Sequence, residues 1–405
     1  MTGLHVEHVM VEFILALVQL TSVNTWVGSW YSSPTRSTAS SGEDSNPCTS
    51  TSQSGNFTQR VSAHLTIGGD RLRIHVSNRF GSSDLKVGAA RVSTRVASAE
   101  LLFHGQQNVL IPPGTSLTSD PADLSTDKNA DISVTIFYPE TIPTPATVHR
   151  NYHPEETPDV GVSHGNHVQD TTQDIPPRIS HFTCFLTGID VQSRGALGSI
   201  IAFGDSITDG GGRHWPALLA ERLSKHQRSY GILNAGLVGN RIMRGGGIAG
   251  EPLLTRFKDE IFSIPDVKYV IVYEGINDIG LAATASDQTA PPKVTDITNA
   301  MRHLSQIAHS LGIKIFFATL TPFKGVDYDG YYTQGKELER QKVNQWVRQS
   351  RDIDGYFDFD KAVSDPRRPD TLKREVNLDN QHLNDAGEKA ISDIISIRLF
   401  DSSKP

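Results

Sequence analysis

The chain has 405 residues, 37% of them hydrophobic and 20% charged, and 45 acidic side chains against 38 Lys and Arg leave a formal charge of -7. That length predicts two or three domains with at least one sizeable core, and 34 Gly with 21 Pro is close to average usage, which excludes a collagenous or globally disordered chain. No basic excess or basic stripe is present, so nucleic acid is not an expected partner.

No apolar run reaches the roughly 18 to 20 residues of a spanning helix, so no stable membrane span is expected. The nearest approach lies in Val9 to Val23, around Phe13-Ile14-Leu15-Ala16-Leu17-Val18. Residues 1–24 are therefore a candidate signal segment, although Glu12 interrupts the stretch and no Lys or Arg precedes it. A buried strand or a misassigned start is the alternative. Asn56-Phe57-Thr58 is a glycosylation acceptor triplet, and the only two cysteines, Cys48 and Cys184, suit one disulfide in an oxidising compartment. Two unpaired buried thiols would look the same in sequence. Secretion is the expectation, with the cytoplasm as alternative.

From Trp26 to about Asp190 the grammar is that of β-structure. Arg71 to Ser77 and Asp131 to Ile136 alternate polar and apolar with period two, as strands with one wet face do. Turn signals separate such runs: Gly68-Gly69-Asp70, Gly81-Ser82-Ser83, Pro112-Pro113-Gly114 and Pro143-Thr144-Pro145. The pattern predicts an antiparallel β-sandwich-like domain over residues 25–192, with a Ser/Thr-rich surface loop from Ser32 to Ser54.

From about Gly195 short apolar runs alternate with helical periodicity. Ser199 to Phe203, a run ending at Leu233, Lys268 to Tyr273, Ile313 to Leu320 and Tyr356 to Phe359 are the predicted strands. Trp215 to Leu223, Leu253 to Phe262, Val294 to Leu311 (closed by Gly312), Lys336 to Arg351 and a last helix capped by Asn384 are the predicted helices. This alternation predicts an α/β domain over 195–405, a parallel sheet with helices on both faces, and ligands bind such sheets at the carboxyl ends of the strands.

Four loops there carry chemistry-bearing residues. Gly204-Asp205-Ser206-Ile207-Thr208-Asp209-Gly210 follows the first strand, where a serine can present its hydroxyl beside a helix N-terminus or merely cap the helix. Asn234-Ala235-Gly236-Leu237-Val238-Gly239-Asn240 follows the second, and its glycines suit close backbone approach or a tight turn. Gly275-Ile276-Asn277-Asp278 follows the third, with an amide that can donate to developing negative charge or form an Asx turn. Asp379-Asn380-Gln381-His382 precedes the last helix, and an acid three residues before a histidine can hold the imidazole tautomer, while an ordinary surface turn with two polar residues is the favoured reading of this loop taken alone.

These four blocks, in this order, resemble the GDSL or SGNH hydrolases over roughly Ile200 to Leu399, with Ile207 in place of the leucine of the family name. The first half resembles, less specifically, a β-rich region that precedes this domain in some bacterial and fungal members. The resemblance implies an SGNH fold of flavodoxin-like type and an esterase or lipase with Ser206 as nucleophile, His382 as base and Asp379 supporting it. It further implies an oxyanion hole from the N–H groups of Ser206 and Gly239 and the amide of Asn277, with Gly236 the competitor of Gly239. Asp205 and Asp278 are expected to support these groups rather than react. The substrate is expected to be a small-molecule or glycan ester. Alternatives are a carbohydrate O-acetyl esterase, or a glycan-binding protein with an inactive hydrolase domain.

No cofactor and no metal are expected. His149, His153, His164 and His167, with Glu155 or Glu156, fit no standard ligand spacing and read as solvent-facing or turn positions. Gly161-Val162-Ser163-His164-Gly165 spells another hydrolase elbow, but the Pro-rich segments around it lack the required strand and helix. Gly245 to Gly250 matches a dinucleotide fingerprint without a strand before it and is read as a loop bordering the site.

Overall fold

The computed structural model describes residues 24–37, 48, 55–142, 144–150, 160–170, 178–210, 214–226, 229–246 and 249–400. The candidate signal segment lies outside them except for Asn24, as do His153, Glu155 and Glu156.

In the first half the strands are antiparallel. A four-stranded sheet runs in the order Asn24–Tyr31, Leu186–Arg194, Arg71–Ser77, Ser116–Thr118. A six-stranded sheet is built around Phe57–His64 and Asp131–Tyr138. The period-two pattern places Leu72, Ile74 and Val76 from the first sheet and Val61, Val134 and Ile136 from the second in one shared core. Cys48 and Cys184, both buried in this core, form a disulfide with a Cα–Cα distance of 6.0 Å. The expected loop from Ser32 to Ser54 is partly regular: Thr35–Arg36 pairs with Thr147–Val148.

The second half is a parallel five-stranded sheet in the order Tyr230–Gly236, Gly198–Gly204, Val267–Tyr273, Lys314–Ala318, Gly355–Phe357. This is the 2-1-3-4-5 order of doubly wound sheets, whose ligand crevice lies between the first and third strands. Helices cover both faces because each carries one apolar stripe. Val294–Ser310 buries Ile297, Met301, Leu304 and Ala308, and Gly312 at φ 71° turns the chain into the next strand. Truncating Leu304 to alanine would cost about 2–5 kcal/mol by opening a cavity there.

Several boundaries differ from the sequence reading, and three of the differences have a plain cause. The second strand runs on past Leu233 to Gly236, because Asn234, Ala235 and Gly236 pair with Ala202, Phe203 and Gly204. The fourth strand spans Lys314–Ala318 rather than Ile313 to Leu320. Phe359 starts a short helix, Phe359–Val363, capped by Asp358, instead of ending the last strand. In each case long-range pairing or a cap overrode the local apolar pattern.

The two halves meet along the edge strand Tyr230–Gly236 of the parallel sheet. Gly231 admits the chain of the four-stranded sheet so closely that a Cβ there would lie 1.8 Å from the Gly28 carbonyl oxygen. The Gly28 N–H donates to Ser199 Oγ at 3.0 Å, and the Ile232 N–H donates to Thr66 Oγ1 at 3.0 Å. The β-rich half thus covers an edge whose open N–H groups would otherwise invite pairing. No helix among the described residues is long and apolar enough to cross a membrane.

Candidate active site

The first strand ends in Gly204, where any side chain would collide with Thr208 Oγ1 and the Tyr273 carbonyl. The chain turns there into the short helix Ser206–Asp209, capped by Asp205 Oδ1, which accepts the Ile207 N–H at 3.0 Å. Ser206 is 5% exposed, just past the carboxyl end of the strand Gly198–Gly204. From the last loop, His382 Nε2 comes within 2.8 Å of Ser206 Oγ. On the other side of the ring, Nδ1 is 2.6 Å from Asp379 Oδ2, while Asp379 Oδ1 accepts the N–H groups of His382 at 2.7 Å and Gln381 at 3.0 Å. Burial opposes ionisation of Asp379, but the hydrogen bonds from the His382 ring and backbone prevail and hold its carboxyl well below the usual carboxylate range.

The second loop brings Gly239 to this end of the sheet in the left-handed region, at φ 73°. A Cβ there would meet only Ala249 at 3.7 Å, and the Gly239 N–H has no acceptor among the described residues. Gly236 differs. Its N–H is spent on Asn234 Oδ1 at 2.9 Å, and its Cα is packed against the backbone of Asp209. Asn234 itself holds the end of the serine helix, donating to the carbonyls of Thr208 and Asp209.

Asn277 is 3% exposed. Its Nδ2 donates to the Asn240 carbonyl at 3.1 Å and to Asp205 Oδ2 at 3.3 Å, and its Oδ1 accepts from the Tyr331 hydroxyl at 2.7 Å. Asp278 holds the loop after Gly239 by accepting the N–H groups of Ile242 at 2.8 Å and Met243 at 3.1 Å. Burial pushes Asp205 and Asp278 up to about 6 each, against the hydrogen bonds both accept. Glu274 completes a buried trio of acids. Neither of its oxygens has a hydrogen-bond partner among the described residues, and burial first, then the charge of Asp205, raises it well above the usual range.

Ser206, His382 and Asp379 are thus hydrogen-bonded in line, with Gly239 and Asn277 brought to the same end of the sheet. The histidine reading needs correction at His149, which is buried rather than solvent-facing. Its Nε2 lies 3.2 Å from Asp209 Oδ1 and its Nδ1 lies 3.0 Å from the Ser33 carbonyl oxygen. A lone histidine in a β-rich stretch carries no local signal of such a partner. Tyr331, likewise absent from the sequence reading, has no motif of its own. His167 pairs with Asp170 at 2.6 Å, and no cluster of His, Cys, Asp and Glu among the described residues could hold a metal ion. Ser163 lies within the strand Val160–His164, opposite Thr58, and not on a strand-to-helix turn.

A comparison with curated proteins finds no match. Among solved structures the chain is similar to a carbohydrate acetylesterase from Sinorhizobium meliloti, at 17% identity and a TM-score of 0.38, over 50% of this chain and 97% of that one. It is similar to a catalytic mutant of an acetylxylan esterase from Geobacillus stearothermophilus, at 16% identity and a TM-score of 0.39, over 51% and 95%. A GDSL-like lipase from Bacteroides thetaiotaomicron is similar at 15% identity and a TM-score of 0.36, over 49% and 86%. Residues 202–390, a little under half of the chain, match the family model described as GDSL-like Lipase/Acylhydrolase family.

Proposed function

We propose that the protein hydrolyses a carboxylic ester through an acyl-enzyme on Ser206. The observation that carries this reading is the unbroken line from Ser206 Oγ to His382 Nε2 at 2.8 Å and from His382 Nδ1 to Asp379 at 2.6 Å. A serine hydroxyl is a weak nucleophile at neutral pH and needs a base within hydrogen-bond reach. As Oγ attacks the ester carbonyl carbon, His382 Nε2 takes its proton, and Asp379 stabilises the imidazolium that forms. Collapse of the tetrahedral intermediate breaks the bond to the alcohol, which leaves with that proton. Water then attacks the acyl-serine by the same route, releasing the acid and restoring Ser206.

The oxyanion is met by the N–H groups of Ser206 and Gly239 and by the amide of Asn277. One such donor is worth about 2.7–4 kcal/mol of transition-state stabilisation. The unspent N–H of Gly239 favours it over Gly236. Export to an oxidising compartment belongs to the same proposal and is supported by the Cys48–Cys184 disulfide.

The test is a rate series on aryl acetate, longer aryl esters and acetylated sugars with one preparation, and Ser206→Ala as control. The variant is expected to fold and to lose all but a few per cent of the rate on every substrate. Higher residual activity would remove Ser206 as nucleophile. Preference for the sugars would mark a carbohydrate O-acetyl esterase, and inertness towards all three a glycan-binding protein.

A further inference from the structure

Gln381, Tyr331 and Asn277 form a hydrogen-bonded chain with a single direction. Gln381 Nε2 donates to the Tyr331 hydroxyl at 2.9 Å, and that hydroxyl donates to Asn277 Oδ1 at 2.7 Å. A phenol has one proton. Because Tyr331 accepts from Gln381, its proton is committed to Asn277, which fixes the carboxamide with oxygen toward the tyrosine and NH2 away from it. That NH2 group then faces the Asn240 carbonyl, next to Gly239, and Asp205 Oδ2, next to Ser206.

All three residues are buried: Tyr331 is 3% exposed, Asn277 3% and Gln381 9%. The ring is itself clamped. It lies over Gly280, where a Cβ would sit 2.3 Å from Cζ, and meets Phe323 edge to face at 5.8 Å. Lys336 Nζ ties the carbonyls of Gly280 and Gly330 on either side of this contact. Gln381 is the residue before His382, so the chain runs from the loop that holds the base to the amide of the oxyanion hole.

We infer that Tyr331 is a positioning residue that acts through Asn277, keeping its amide N–H groups rather than its oxygen toward the oxyanion. This rests on the hydrolase reading above. The phenolic proton holds the oxygen end of the amide while the Asn240 carbonyl and Asp205 Oδ2 accept from its NH2 end, and without that proton a turned amide, with its carbonyl oxygen against the forming oxyanion, is opposed only from the NH2 side. Burial raises the phenol well above its ordinary value, so it stays protonated across the working pH range.

Tyr331→Phe removes the proton donor and leaves the ring in place. Loss of a whole oxyanion donor costs about 10²–10³ in kcat, so this variant is expected to lose about 10- to 100-fold in kcat on aryl acetate, with KM changed less than about threefold. The same substitution in an Asn277→Ala background is expected to change kcat less than about twofold, because the residue it acts through is gone. Gln381→Leu probes the relay without touching the ring and is expected to lose less, about 3- to 10-fold, again only when Asn277 is present. Equal losses with and without Asn277, a change confined to KM, or an unchanged kcat would each overturn the inference. Ser206→Ala with an undiminished rate would overturn the underlying hydrolase reading instead, which separates the two failures.

Discussion

His149 Nε2 lies 3.2 Å from Asp209 Oδ1, joining a strand of the β-rich half to the helix that carries Ser206. Both side chains are about nine-tenths buried, and Asp209 Oδ2 has no other partner among the described residues. Burial lowers the His149 pKa, but the charge and hydrogen bond of Asp209 outweigh it and leave the imidazole raised. A raised histidine contributes stability that is complete below its unfolded value near 6.5 and fades as pH climbs through the higher folded value. His149→Gln is expected to cost about 3–5 kcal/mol at pH 6, by stranding a buried carboxylate, and less at pH 9. Denaturant melts of both proteins at the two pH values check this; a loss independent of pH would refute the ion pair.

Asp379→Asn is expected to lower kcat by about 10²–10⁴ with the fold retained. The carboxylate orients the ring through Nδ1, and an amide would present a donor half the time and release the tautomer. Its hydrogen bonds keep Asp379 ionised well into acid, so the loss should be similar at pH 5 and pH 8 once both proteins are compared at the same pH. Initial rates beside far-ultraviolet dichroism decide it, and an active variant would dismiss Asp379 from the site.

Glu388, on the last helix, accepts the Trp215 N–H at 2.8 Å where another helix begins, and burial pushes it up to about 8. A raised acid binds its proton more tightly when folded, so its contribution is complete below about 4.3 and is lost as pH rises through about 8. Glu388→Gln keeps an acceptor oxygen and removes the titration. The variant is expected to match wild type near pH 5 and to exceed it by about 1–4 kcal/mol at pH 9. Thermal melts across that range should show the gap opening with pH, and parallel curves would contradict it.

The Cys48–Cys184 bond joins residues 136 positions apart, and closing a loop of that length restricts the unfolded chain by about 5 kcal/mol in the chain-entropy description. Cys48→Ser with Cys184→Ser is expected to lower stability by about 2–5 kcal/mol. The β-rich half should open first, since both cysteines belong to its core. Hydrogen exchange read separately over the two halves would show it, and equal loss of protection in both would count against a local role.

Much of the candidate site was legible because its residues fall in short contiguous blocks. Asp379 and His382 are three residues apart on one turn and Ser206 lies just past the strand Gly198–Gly204, and the four blocks in order carried the family resemblance that implied their roles. His149 and Tyr331 were not legible. Each reaches its partner only through the packing of elements distant in the chain, and neither sits in a pattern that differs from ordinary core or loop. The strand that continues past Leu233 was missed for the same reason: Asn234 and Gly236 are poor strand formers in isolation, and pairing with Ala202 and Gly204 overrides that preference.

From its residues alone the chain was committed to alternating strands in one half, to alternating strands and helices in the other, and to four polar loops at the ends of those strands. Periodicity and turn chemistry act over a few residues and need no partner. Only the folded molecule decided which proton donors face Asn277, that Asp205, Glu274 and Asp278 are buried together, and that the β-rich half seals an edge of the parallel sheet. Those outcomes depend on dielectric environment and on contacts between distant segments, which exist only once the cores have closed.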